Sequence, residues 1–371
     1  HGLGTVSNPV FPEMFRRPAT GAGASLLAGE LLRDGGRIHN PGGGTHHGMP
    51  DRANGFCYLN DAVLGILSLK RAGAVRVAYV DIDAHHMDGV EYAFADDPDT
   101  LLISTHEEKR WPFTGLIGDA GVGQTFNLPL PRGLNDSEMA LARDRLMLPA
   151  VEHFAPDAIV LQCGADAVDE DPLSRLALSN NAHWDLLAAL MQLAPRFLLL
   201  GGGGYNPWSV GRLWSGNWAV LSGQDIPDRL PPEAEAVLRD LRFDGNSRGR
   251  NPPEHWFTTL RDAPHIGPVR TEVSDRVTYL AGRIVLEPLR QISHCQIAHR
   301  LPRLVRAGCD MRGQHDVVHR LERIGNLRLF LEHVEARACD HAILQGLHQG
   351  PLIYDRPACD VEEQTVGAKR L

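Results

Sequence analysis

The sequence predicts an α/β fold: a mainly parallel sheet covered by helices on both faces, three layers in all. Two observations carry this. Short apolar runs of strand length alternate with helix-like segments from about residue 15 to 220, and strands buried on both faces read as continuous apolar runs. Residues capable of chemistry then cluster just beyond several of those runs, at the carboxyl ends of strands where open α/β sheets bind ligands.

Strands are expected at 36–40, 75–80, 100–104, 158–163 and 196–200, with helices near 21–33, 58–72, 137–152 and 183–193 and another after Asn206-Pro207. Residues 223–281 are richer in proline and charge, so one helix around 232–242 is expected there, with irregular packing elsewhere. Residues 282–371 lose the strand–helix alternation. They hold Cys295, Cys309, Cys339 and Cys359 at spacings that match no CxxC-type zinc pattern. The division expected is therefore a catalytic domain over 1–281 and a C-terminal extension of low order and unassigned role over 282–371.

Composition narrows the class. Lys+Arg 37 against Asp+Glu 46 gives a net charge of −9, which argues against direct binding to nucleic acid or an anionic membrane. No apolar run reaches the roughly 18 to 20 residues of a membrane helix. Few cysteines near the motifs and an opening His1-Gly2-Leu3-Gly4 unlike an export signal point to a reducing, cytoplasmic setting. The 38 glycines among 371 residues imply many tight loops.

Four strand ends carry the chemistry: Pro41-Gly42-Gly43-Gly44-Thr45-His46-His47, Asp81-Ile82-Asp83-Ala84-His85-His86-Met87-Asp88, Gly164-Ala165-Asp166 and Gly201-Gly202-Gly203-Gly204-Tyr205-Asn206. Asp83 and His85 flank one residue, so in extended chain they share a face. With Asp166 they make a two-Asp, one-His set suited to Zn²⁺ or Fe²⁺ acting as a Lewis acid. Asp81 and Asp88 are spare carboxylates, each able to orient one imidazole of the His46-His47 pair and to raise its basicity. Two such dyads beside a metal suit a general base/acid and an electrostatic helper. The glycine run lacks the features of a phosphate loop; its expected use is to present the Tyr205 hydroxyl to a developing oxyanion. Phe56 and Trp111-Pro112-Phe113 are candidate pocket walls, while Cys57 and Cys163 read as small buried hydrophobes.

Taken with Asn54-Gly55-Phe56-Cys57-Tyr58-Leu59-Asn60-Asp61 and Leu161-Gln162-Cys163-Gly164-Ala165-Asp166, these motifs resemble the zinc-dependent histone deacetylase family and its bacterial acetoin-utilisation relatives, in family order over about residues 1–222. The resemblance implies the arginase/deacetylase fold and one Zn²⁺ per chain on Asp83, His85 and Asp166. It implies catalytic roles for His46, His47, Asp81, Asp88 and Tyr205, with His47 the base and acid. Phe56, Trp111 and Gly204 become substrate-binding positions. A structural K⁺ is implied at Asp81, Ser104 and the backbone of Asp83, His85 and Thr105. The activity implied is hydrolysis of the amide of an acetylated amine, either acetyl-lysine in protein or a small amine such as an acetylpolyamine. The alternative is a catalytically impaired domain that binds acyl-lysine or a partner.

Three departures stand out. Met87 occupies a position where the family usually has glycine, so strain at a positive φ is expected there. The carboxylate two residues after the metal-binding histidine that a two-manganese ureohydrolase needs is absent, Met87 again standing in its place. The substrate-anchoring aspartate of the rim is replaced near Ser7, and the domain reads as N-terminally shortened, leaving a central strand as an exposed edge and an aggregation risk.

Overall fold

The computed structural model describes residues 1–119, 124–243 and 251–286. A sheet of six strands runs through it in the order β1-β6-β5-β2-β3-β4, and every neighbouring pair is parallel. The strands are β1 Gly36–Asn40, β2 Val77–Asp81, β3 Thr100–Glu107, β4 Gln124–Leu130, β5 Ala158–Gln162 and β6 Arg196–Leu200. Alternate residues of each strand enter opposite cores. Ala78, Val80, Ile159, Leu161, Phe197 and Leu199 face one cluster, while Val77, Tyr79, Ala158, Val160, Leu198 and Leu200 face the other.

The first cluster is closed by α4 (Asp136–Ala142), α5 (Leu148–Phe154), α6 (Asn180–Leu190) and a final helix, Thr271–Leu286; the second by α1 (Arg16–Leu31), α2 (Asp61–Arg71) and α3 (Asp88–Phe94). The three-layer αβα fold of the sequence prediction is therefore what forms. The remaining helices, α7 (Pro207–Ser222), α8 (Pro232–Asp240) and the turn His255–Thr258, pack beyond the glycine run.

Four elements depart from the sequence reading, the seven-residue α3 being an unexpected helix. β4 was not predicted: it alternates polar and apolar residues and carries Pro129, both features of an edge strand. The helix expected over 137–152 is broken into α4 and α5 by a π turn at Arg143–Met147. Pro149 has no N–H to give to the carbonyl four residues back, and a wider turn accommodates the missing bond. The irregular packing expected up to 281 instead contains Thr271–Leu286, which runs past that boundary and buries Val273, Val277, Leu280 and Ile284 at helical spacing. The weakly ordered extension expected over 282–371 lies, from residue 287 onward, outside the described residues. At the other edge, Gly36 and Arg37 of β1 are exposed.

Candidate active site

The histidine pair is held from below by the start of α2. Asn60, whose side chain caps that helix through the Val63 N–H, also donates its amide to the carbonyls of His46 and Gly48, each at 3.0 Å. Asp61 accepts from the Thr45 N–H at 2.7 Å and the Gly44 N–H at 3.1 Å. Thus fixed, His46 places Nδ1 2.7 Å from Asp81 Oδ2, and His47 places Nδ1 2.6 Å from Asp88 Oδ1. Both expected dyads form. The Tyr79 hydroxyl donates to Asp81 and the Asn54 amide to Asp88, so each carboxylate is itself oriented.

The two imidazoles meet Nε2 to Nε2 at 2.9 Å, so only one of those nitrogens carries the proton between them. Electrostatics says which. Burial pulls both rings down, but the charges of Asp81 and Asp83 outweigh it at His46 and raise that ring to about 9. At His47 burial and the neighbouring His46 charge prevail over the Asp88 bond, lowering it to about 3. The charge therefore rests on His46, and His47 is neutral.

Beyond the ends of β2 and β5, the ligating atoms of Asp83, His85 and Asp166 lie within 4.8 Å of one another. His85 Nδ1 sits 3.1 Å from Asp83 Oδ1 and 3.0 Å from Asp166 Oδ2. The cluster demands positive charge: burial disfavours a charged imidazole, yet hydrogen bonds to Asp166 and Asp83 raise His85 to about 10. Gln162 at the end of β5 and the Gly203 N–H both donate to Asp83 Oδ2 at 2.8 Å, and the Ala84 N–H to Asp166 Oδ1 at 2.9 Å. The glycine run is required by proximity. A Cβ on Gly203 would lie 2.1 Å from Asp166 Oδ2 and 3.0 Å from Asp83 Oδ2, so any side chain there fills the space between the carboxylates. The donor set, two hard oxygens and one imidazole nitrogen around a kept clearing, fits a divalent ion such as Zn²⁺.

A second acidic group, Glu170, His255 and Asp262, has the spacing of a metal site, but the buried guanidinium of Arg212 already engages Asp262. No arginine or lysine pairs with the first group among the described residues.

Tyr205 follows the glycine run, its N–H held by Asp171 Oδ2 at 2.7 Å. Burial and the carboxylates of Asp166 and Asp83 raise its phenol well above the ordinary range, which keeps it a proton donor. Its ring stands 6.0 Å from that of Phe56, which occupies the tip of the turn Asn54–Cys57. Trp111 lies with its ring 4.6 Å from that of His47 and lies against Gly55, where a Cβ would come within 2.2 Å of the indole. Gly204, with φ 157°, leads into Tyr205. Asp81 and Ser104 are register partners on adjoining strands, with Thr105 next in line.

Every residue picked from the sequence is thus brought to one strand-end region. Cys57 and Cys163 are the buried, free thiols expected of them, each pushed up to about 12 by burial. One expectation fails. Met87 sits at φ −74°, not in the left-handed region, and its side chain is buried in the second core cluster without backbone strain. Two residues escaped notice. Gln162 has a legible signal, a lone amide closing an otherwise apolar strand. Asp171 has none, since its partner Tyr205 is 34 positions away.

A family model described as histone deacetylase domain matches residues 2–221. The acetoin utilization protein AcuC of Bacillus subtilis is 36% identical over 247 residues, covering 63% of this chain and 64% of that protein. Histone deacetylase 6 of Arabidopsis thaliana is 39% identical over 230 residues, covering 60% of this chain and 49% of that protein. The chain thus spans less than two thirds of the length of each. Among solved structures, an HDAC homolog from Aquifex aeolicus matches with a TM-score of 0.70 at 35% identity, over 75% of this chain and 77% of that one. An HDAC homolog complexed with SAHA matches with a TM-score of 0.69 at 34% identity, over the same shares of 75% and 77%.

Proposed function

Because the chain belongs to the histone deacetylase family, we propose that it hydrolyses the amide of an acetylated amine, acetyl-lysine in protein or a small acetylated amine, with one zinc ion held by Asp83, His85 and Asp166. The observation that carries this reading is the convergence of that donor set with two Asp–His dyads and a protonated tyrosine on one sheet edge.

When bound, the ion supplies Lewis acidity, polarising an acyl carbonyl and acidifying water. The protein's own groups do the rest. His47, held at Nδ1 by Asp88, takes the proton of the attacking water at Nε2 once that nitrogen is released from the His46 Nε2–H. His46, kept charged by Asp81, stabilises the negative charge that builds up and leaves the proton on its neighbour available for the departing amine. Tyr205 donates its phenol proton's hydrogen bond to the oxyanion. Phe56, Trp111 and Gly204 line the approach. A structural K⁺ at Asp81, Ser104 and the backbone of Asp83, His85 and Thr105 is part of the same reading, supported by the pairing of Asp81 with Ser104 on β2 and β3. The catalytic domain keeps the whole helix Thr271–Leu286 rather than ending at 281, with the residues after it as an extension. The cytoplasmic setting rests on the few cysteines near the motifs; no helix among the described residues is long and apolar enough to cross a membrane.

The test is Tyr205→Phe on zinc-loaded protein, assayed with an acetyl-lysine peptide and an acetylpolyamine. Zinc stoichiometry stays at one while turnover falls about 10²- to 10³-fold, the scale of losing one oxyanion donor. Undiminished turnover in the variant, or no turnover by the parent chain on either substrate, overturns the reading.

A further inference from the structure

The loop Arg110–Gly115 is fastened at both ends. Arg110 donates to the buried carboxylate of Glu107 at 2.5 and 3.0 Å and to the Leu173 carbonyl at 2.5 Å. At the far end the Thr114 hydroxyl meets His86 Nδ1 at 2.9 Å, and His106 Nε2 lies 2.9 Å from the Gly115 carbonyl. Between these anchors the Phe113 N–H closes a turn on the Arg110 carbonyl at 2.8 Å.

Phe113 is in that turn at φ 65°, a conformation glycine adopts freely and a bulky aromatic does not. Its ring is 70% exposed, so it gains little from burial in the fold. A bulky side chain kept in a strained and solvated position serves something outside the fold. Its surroundings indicate what. Trp111, two residues earlier, contacts the base His47, and Phe56, 38% exposed and at φ 64°, stands next to Tyr205. Phe113 therefore extends the aromatic mouth of the site outward.

We propose that Phe113 is a specificity-determining residue that contacts an apolar side chain next to the acylated lysine of a peptide, favouring that context over an acylated lysine flanked by glycine. The proposal rests on the deacetylase reading above and names its substrate class.

The experiment compares Phe113→Gly with the parent chain on two acetyl-lysine peptides, one with leucines flanking the acetyl-lysine and one with glycines. The preference for the leucine peptide falls about tenfold, carried by KM, as expected for losing a partly buried aromatic contact worth about 1.4 kcal/mol. The melting temperature does not fall, because glycine suits the turn. Phe113→Leu keeps most of the preference. An unchanged preference, or an equal loss on both peptides, overturns the proposal. Failure of the parent chain to turn over either peptide overturns the deacetylase reading instead; equilibrium binding of the two peptides then reads the same ratio, a tenfold loss in Phe113→Gly supporting the assignment and equal affinities overturning it.

Discussion

Asp83, His85 and Asp166 could be picked out of the sequence because each lies within five residues of the end of an apolar run and two of them share a face by spacing alone. Gln162 acts through one of them. Its amide holds Asp83 Oδ2, leaving Oδ1 turned towards His85. Gln162→Leu should weaken zinc binding about 10- to 100-fold, the usual scale for losing such an orienting partner, read by titration against a chelator. Unchanged affinity would assign the amide to packing alone. Away from the site, His39 shows how a single buried ring couples to pH. Burial lowers it to about 4, and its ring stacks on Trp218 with centroids 6.5 Å apart. The folded value lies below the ordinary 6.5, so the contribution of neutral His39 is complete above that pH and lost as pH falls towards 4. Stability should fall by at most about 1.4 kcal/mol per pH unit in that window from this group. His39→Leu should flatten the dependence in urea titrations at pH 7 and pH 5.

At the level of elements, legibility followed pattern strength. β2, β5 and β6 are apolar on both faces and were read almost to their ends, whereas β4 alternates and carries a proline, and α3 is too short for a helical period to show. Thr271–Leu286 was legible but overlooked: its buried residues recur at helical spacing, and the proline-rich stretch before it obscured the pattern. The glycine run could be read as a tight approach, though not what it approaches. Gly203→Ala places a methyl between the two carboxylates and should abolish zinc binding in equilibrium dialysis. Gly211→Ala is the contrast. It lies within α7, where an added Cβ meets nothing within 4 Å, and should raise stability by about 0.5–1 kcal/mol in denaturant unfolding with zinc binding intact.

For the molecule as a whole, the compact unit containing the sheet runs from His1 to Glu287. Its last helix covers one face of the sheet, with Val277 and Leu280 set among Leu146, Val151 and Phe126. A chain ending at Glu287 should keep its melting transition and zinc-dependent turnover on a small acetylated amine within about twofold. One ending at residue 270 leaves that apolar face open and should aggregate, since removing several buried aliphatic side chains costs about 2–5 kcal/mol each. Loss of turnover in the longer of the two would show that the C-terminal segment belongs to the active unit.

The sequence by itself determined the layers, the parallel sheet and the residues that meet at its carboxyl edge, because those follow from local period and from what lies next to each strand end. Only the tertiary structure decided the pairings and the charges. Asp171 reaches Tyr205 across 34 positions, buried neighbours raise His46 and lower His47, and Met87 escapes strain because α3 begins just after it. The left-handed turn at Phe113 belongs with them. Electrostatic shifts and backbone strain depend on what is near in space and on how much water is excluded, and neither is written in the spacing along the chain.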